Sequence, residues 1–92
     1  MESTKQDCIY VVRCRDNSLY TGYTNDLDRR IKQHNAGKGA KYTRARGPVT
    51  LVYTKPYPTK SDALKAEAQF KKLSKRAKEK IIDAYQKSLK SN

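Results

Sequence analysis

Residues 8–14 (CIYVVRC) are dominated by β-branched and aromatic side chains, a pattern that predicts a strand. Asp16-Asn17-Ser18 carries turn chemistry, and residues 19–24 (LYTGYT) return as a second strand, so the pair predicts a hairpin. Asn25, with Asp28 at the capping-box position, predicts a helix that runs to about Asn35 and is stopped by Gly37. The segment from Gly37 to Gly47 (GKGAKYTRARG) is basic and bracketed by glycine, which predicts a loop. A third strand is expected over residues 49–54 (VTLVYT), interrupted by Pro56 and Pro58. Thr59, with Asp62 three residues on, opens a second helix through about Leu73. Ser74 caps a third helix ending near Tyr85 or Lys87, and Ser88 to Asn92 are expected to fray. The order β-β-α-β-α-α implies an α+β fold: a small three-stranded antiparallel sheet flanked by about three helices. No repeat or linker interrupts it. One domain is expected over residues 1–92, with a core at about 8–85 and polar termini at 1–6 and 88–92.

Finer periodicity places several polar groups where apolar ones are the rule. Tyr10 and Tyr20 share a sheet face only if the hairpin loop has an odd number of residues. A three-residue loop closing on a left-handed Asn17 satisfies that condition. Tyr10, Tyr20 and Gly22 then line one face, and Ile9, Val11, Leu19 and Tyr23 the ordinary core face. Two facing tyrosines serve either as cross-strand packing or as part of a site. On the first helix, Leu27, Ile31 and His34 fall on one stripe, and Arg30 flanks His34 at i, i+4. A histidine there is either a hydrogen-bonded structural residue or a functional one. On the second helix, Ala63, Ala66, Phe70 and Leu73 form the stripe, with Glu67 at its edge. A half-buried carboxylate needs a partner, either a base such as Arg30 or a metal ion. The five coincidences together favour a site.

Composition changes the picture in one direction. The chain has 92 residues, 21 Lys plus Arg against 9 Asp plus Glu, and a formal charge of +12. Between Asp28 and Asp62 there are nine bases and no acid, and residues 71–80 add six more bases against Glu79 alone. A field of this sign attracts polyanions, so a nucleic acid is the expected partner, DNA first and RNA second. No helix combines a basic face with a bulky apolar one, so a membrane surface is not expected as partner. No apolar run reaches the ~18 residues of a membrane span. Met1 to Asp7 is polar, so no secretory leader is expected and the expected compartment is the cytoplasm. Cys8 and Cys14, read as one strand, would lie ~20 Å apart, too far for a disulfide. They are expected to be reduced, and with one His and no CxxC a Cys/His zinc site is excluded.

Cys8-Ile9-Tyr10 and Tyr20-Thr21-Gly22, with nine residues between the two tyrosines, resemble the paired signature of the GIY-YIG nucleases. The helix NDLDRRIKQHN followed by a Glu in a later helix is similar to the same family's order. The likeness covers residues 8 to about 82. The segments LYTGYT, RRIKQHN, GKGAKYTR and PVTLVY resemble the small stand-alone bacterial members. Cys8 stands where the family has its first Gly, and Thr21 where it has a middle apolar residue. Some members carry an Asn after the catalytic Glu, and the only later Asn here is Asn92.

The resemblance implies a metal-dependent endonuclease acting on DNA, structure-selective rather than sequence-selective. The other reading is a non-catalytic nucleic-acid-binding module that kept the fold. Carried onto this chain, Tyr10 would activate or orient the attacking water and Tyr20 would support it. Arg30 would hold the scissile phosphate, His34 would be the helper base, and Glu67 would be the sole protein ligand of Mg²⁺ or Mn²⁺. A phenol is a poor base at neutral pH, so this reading expects positive charge around Tyr10 to lower its pKa. Lys38, Lys41, Tyr42, Arg44 and Arg46 in the Gly-bracketed segment, and Lys71, Lys72, Lys75 and Arg76 in the second basic run, are the expected backbone contacts. Tyr42 either stacks on an unpaired base or is pinned to the core.

Overall fold

β1 (Cys8–Arg13) is the middle strand of the sheet, paired antiparallel with β2 (Leu19–Thr24) on one side and β3 (Thr50–Pro56) on the other. The computed structural model describes residues 5–90. The expected polar ends at 1–4 and 91–92 lie outside the described residues. Register follows from the hairpin. Cys14 N–H donates to Ser18 C=O at 2.8 Å, closing a three-residue loop whose last residue, Asn17, has φ 72°. An odd loop sets Tyr10 opposite Gly22 and Val12 opposite Tyr20, so all four share one face.

The middle strand therefore feeds two cores. Ile9 and Val11 point into a cluster with Val52, with Ala63 and Phe70 of α3 (Lys60–Lys71) and with Ile82 of α4 (Lys75–Lys90). Leu19 and Tyr23 pack against that cluster, as the alternation predicts. Tyr10 and Val12 point the other way, into a cluster with Cys14 and Val49. Leu27 and Ile31 of α1 (Leu27–Asn35) pack against it. Full burial of each aliphatic or aromatic side chain contributes about 1.5–3 kcal/mol. Two small cores on opposite faces of one strand are how a chain with so little apolar residue content secures its sheet. Arg13 fastens the hairpin to α4 through two bonds to Glu79, at 2.8 and 2.7 Å.

Helix ends depart from expectation in specific ways. The N-cap of α1 is Asp26, not Asn25: Asp26 Oδ1 accepts from Arg29 N–H at 3.4 Å, while Thr24 Oγ1 accepts from Asp26 N–H at 3.0 Å. That shift puts Arg29, a base, at the third helical position, so no capping box forms. The Gly-bracketed segment is not all loop, because Lys41–Arg44 form one helical turn, α2. Among the described residues there are thus four helices rather than about three. β3 continues through Pro56, which an edge strand tolerates because its missing N–H faces away from the ladder. The caps at Thr59 and Ser74 form as predicted, to Asp62 N–H and Ala77 N–H, both at 3.1 Å. Because α3 ends at Lys71, Leu73 leaves the stripe and is 37% exposed. At the other end, Ser88 to Lys90 continue α4 instead of fraying. Both cysteines are buried and free.

Candidate functional site

β1 supplies Tyr10, β2 supplies Tyr20, and α1 supplies Arg30 and His34. Helical spacing alone turns His34 inward beside Leu27 and Ile31, and at 1% exposure the ring is sealed from solvent. The Tyr10 hydroxyl lies 2.8 Å from His34 Nε2, and the two rings meet at 5.6 Å between centroids. Tyr20 closes the group, its ring 6.4 Å from Tyr10 and 5.5 Å from His34, edge-on to the latter. On the far side of the imidazole, Nδ1 is 2.8 Å from Thr43 Oγ1, and the Thr43 hydroxyl donates to the Ala40 carbonyl at 2.9 Å. Among the described residues, no buried side-chain polar atom lacks a partner.

The electrostatics run opposite to expectation at the phenol. Burial pushes the Tyr10 hydroxyl well above the ordinary tyrosine range, and the charges of Tyr20, Glu67 and Cys8 push the same way. Arg30 pulls it down and loses, because desolvation of a phenolate in a sealed pocket outweighs one guanidinium. Burial also lowers the His34 pKa, and the positive charge of Arg30 lowers it further, so the imidazole is held neutral. A neutral imidazole has one N–H and one bare nitrogen and a phenol hydroxyl can donate or accept, so the tautomer decides which way the Tyr10–His34 bond runs.

Glu67 projects from α3 at 17% side-chain exposure, near enough for its charge to act on Tyr10, and its ion-pair partner is Lys71 at 3.2 Å. Among the described residues no three His, Cys, Asp or Glu side chains cluster. One hard carboxylate oxygen donor fits Mg²⁺ or Mn²⁺, which retain waters and complete their shell from phosphate oxygens. It does not fit zinc, which needs several nitrogen or sulfur donors.

The expected backbone contacts divide. Leu19, Tyr20, Thr21, Tyr42, Lys71 and Lys78 line a cleft of about 200 Å³ beside the tyrosine pair, bringing α2 and the second basic run together. Lys41 and Arg44 are exposed, Lys38 lines a separate groove along α1 with Arg29 and Lys32, and Lys72 is exposed at α3's end. Lys75 donates to the Asn17 carbonyl at 2.9 Å, and Arg76 lines a separate groove on α4 with Glu79 and Asp83. Arg46 is partly exposed but engaged by the protein itself: its guanidinium sits 4.0 Å over the Tyr42 ring, donates to Asp16 at 3.2 Å and to the Tyr42 carbonyl at 2.8 Å. Tyr42 also stacks on Tyr20 at 6.0 Å and is 38% exposed, so it is held by its own neighbours at the cleft's rim.

Three participants escaped sequence reasoning. Thr43 is wholly buried, yet a threonine in a basic loop carries no signal of that kind. Gly39 is buried against His34, where any Cβ would collide with the imidazole Nδ1 and Cγ. The pairing of two glycines in so short a segment was its only trace. Lys78 stood in the basic run but had no distinguishing neighbour.

Residues 6–81 match the GIY-YIG catalytic domain. Curated relatives are UPF0213 proteins. One from Bacillus velezensis is 52% identical over 85 residues, spanning 92% of this chain and 86% of that protein. Another, from Streptococcus sanguinis, is 60% identical over 70 residues, spanning 76% and 80%. Two solution NMR structures share the fold. A UPF0213 protein from Bacillus halodurans superposes with TM-score 0.57 at 51% identity, covering 86% of this chain and 84% of that one. A protein from E. faecalis gives 0.62 at 42% identity, covering 100% and 96%. With the paired tyrosine signature, the sheet order and this match over most of its length, the chain belongs to the GIY-YIG family, a nuclease superfamily.

Proposed function

We propose that this protein is a divalent-metal-dependent endonuclease that hydrolyses DNA phosphodiester bonds, selecting targets by shape rather than base sequence. One observation carries the reading: a protonated tyrosine hydroxyl 2.8 Å from a ring nitrogen of a neutral, buried histidine, with a guanidinium and a carboxylate alongside. That pair solves the problem of a weakly acidic phenol. As water loses a proton to the Tyr10 oxygen, Tyr10 passes its own proton to His34 Nε2. The hydroxide attacks phosphorus, the 3′ or 5′ oxygen leaves and takes a proton from solvent, and the imidazolium that remains returns its proton to solvent, with no free phenolate at any stage. Arg30 offsets the negative charge that builds on the phosphoryl oxygens. Tyr20 walls the phenol and keeps bulk water from the pair. Glu67 would hold Mg²⁺ or Mn²⁺, and such an ion, when bound, neutralises phosphate charge and stabilises the leaving oxygen. The exposed bases Lys38, Lys41, Arg44, Lys71 and Lys72 grip backbone phosphates, which carry no sequence information, so the form of the DNA decides.

A nicking assay on plasmid and branched DNA with Mg²⁺ or Mn²⁺ tests this, with RNA of matching form as a competitor. Glu67→Ala and Arg30→Ala are expected to abolish cleavage and leave DNA binding largely intact. Absence of cleavage by the wild type with either ion, or equal cleavage by Glu67→Ala, would sink the enzyme reading.

A further inference from the structure

A proton can pass from Tyr10 to His34 only if the facing nitrogen, Nε2, carries none. Imidazole has two neutral tautomers, and which one forms is set by whatever holds the other nitrogen. Here the far side is occupied by Thr43 Oγ1, 2.8 Å from Nδ1. A threonine hydroxyl has a single hydrogen, and Thr43 gives it to the Ala40 carbonyl at 2.9 Å. A carbonyl oxygen can only accept, so a bond between these two atoms runs from Thr43 to Ala40. Oγ1 therefore turns a lone pair toward the imidazole, Nδ1 bears the hydrogen, and Nε2 is left bare for Tyr10. The polarity of the whole chain, from a backbone carbonyl to the phenol, follows from one hydroxyl.

We propose that Thr43 is a positioning residue that sets the His34 tautomer, and with it the basicity of Nε2. Burial makes the setting strict. Thr43 has 0% exposure and His34 1%, and Gly39 packs close against the ring at Nδ1. The one-turn helix α2 thus contributes chemistry to the site by way of a residue that never meets substrate.

The catalytic consequence rests on the nuclease reading above, but the tautomer itself does not. Long-range ¹H–¹⁵N correlation of histidine-labelled protein at neutral pH reports which ring nitrogen is protonated. Wild type and Thr43→Ser are expected to show hydrogen on Nδ1 and a bare Nε2. Thr43→Val fills the same volume with no acceptor and is expected to show the two forms mixed or the Nε2-protonated form. If Thr43→Val does not fold, Thr43→Ala, which leaves space in place of the hydroxyl, takes its part. In the cleavage assay, loss of the hydroxyl is expected to lower kcat by ~10- to 100-fold with KM unchanged, and Thr43→Ser to restore it. A wild-type imidazole protonated at Nε2 overturns the proposal, as does a hydroxyl-free variant that keeps hydrogen on Nδ1. If wild type cleaves nothing while the ring behaves as described, the nuclease reading fails and the role of Thr43 in setting the tautomer stands.

Discussion

The Tyr10 ring lies directly across Gly22, so close that a β-carbon there would stand 2.5 Å from the phenol oxygen and 2.7 Å from Cζ. Gly22 is where β2 makes room for the site, and the ring cannot retreat because it is 2% exposed and hydrogen-bonded to His34. Gly22→Ala is expected to destabilise the fold by about 1–3 kcal/mol through overpacking. It is also expected to displace the hydroxyl from Nε2 and remove cleavage. Thermal unfolding and the nicking assay read the two effects separately.

Tyr10→Phe removes the donor and leaves Nε2 buried with no partner. The expected cost is about 1–3 kcal/mol, the desolvation penalty of an unsatisfied polar group. Cleavage is expected to fall at least ~100-fold, in the range of lost general acid–base catalysis. DNA affinity, measured by fluorescence anisotropy, is expected to stay near wild type.

Histidine protonation gives a pH dependence of known sign. The folded His34 pKa lies below its ordinary 6.5, so between those two values the unfolded chain binds the proton and the folded chain does not. The His34 contribution to stability is complete above pH 6.5 and declines as pH falls from there toward the folded value. His34→Gln is expected to flatten that part of a urea-unfolding stability profile. Because Nε2 must be bare to accept a proton, the acid limb of cleavage is expected below pH 6.5. The phenol, pushed upward by burial, is expected to add no alkaline limb below the ordinary tyrosine range.

Arg44 and Arg46 sit two residues apart and are expected to behave differently. Arg46→Ala breaks the stack over Tyr42 and the bond to Asp16, so its effect is expected in stability, at about 0.5–1 kcal/mol for an exposed cation–π contact. Arg44 is exposed and holds the Gly39 carbonyl only at 3.4 Å. Arg44→Ala is expected to weaken DNA binding and reduce the slope of log affinity against log salt by about 1. Anisotropy titrations over a salt series, beside melting curves, distinguish them.

Sequence legibility was uneven, for physical reasons. Alternation in CIYVVRC and the left-handed tolerance of Asn17 were enough to put Tyr10, Tyr20 and Gly22 on one face, because a hairpin's register depends only on local turn geometry. The inward turn of His34 was likewise legible from helical spacing. What escaped depends on contacts distant in sequence. Thr43 meets His34 nine residues away across a turn that the two glycines disguised as loop. The direction of the Tyr10 pKa shift turns on how completely two layers seal the ring, which composition cannot report; the +12 charge suggested the wrong sign. Asp26 rather than Asn25 caps α1, with Asp26's own N–H held by Thr24 Oγ1, a choice between adjacent capping residues that spacing alone does not resolve.

β1 leaves little slack for divergence. Ile9 and Val11 are spoken for by one core, Tyr10 and Val12 by the other, and all four have 2% exposure or less. A saturation scan through residues 9–12 should therefore find most substitutions costing stability. Substitutions that leave the fold intact fall instead on the rims: α2, the exposed end of α3 and the open face of α4.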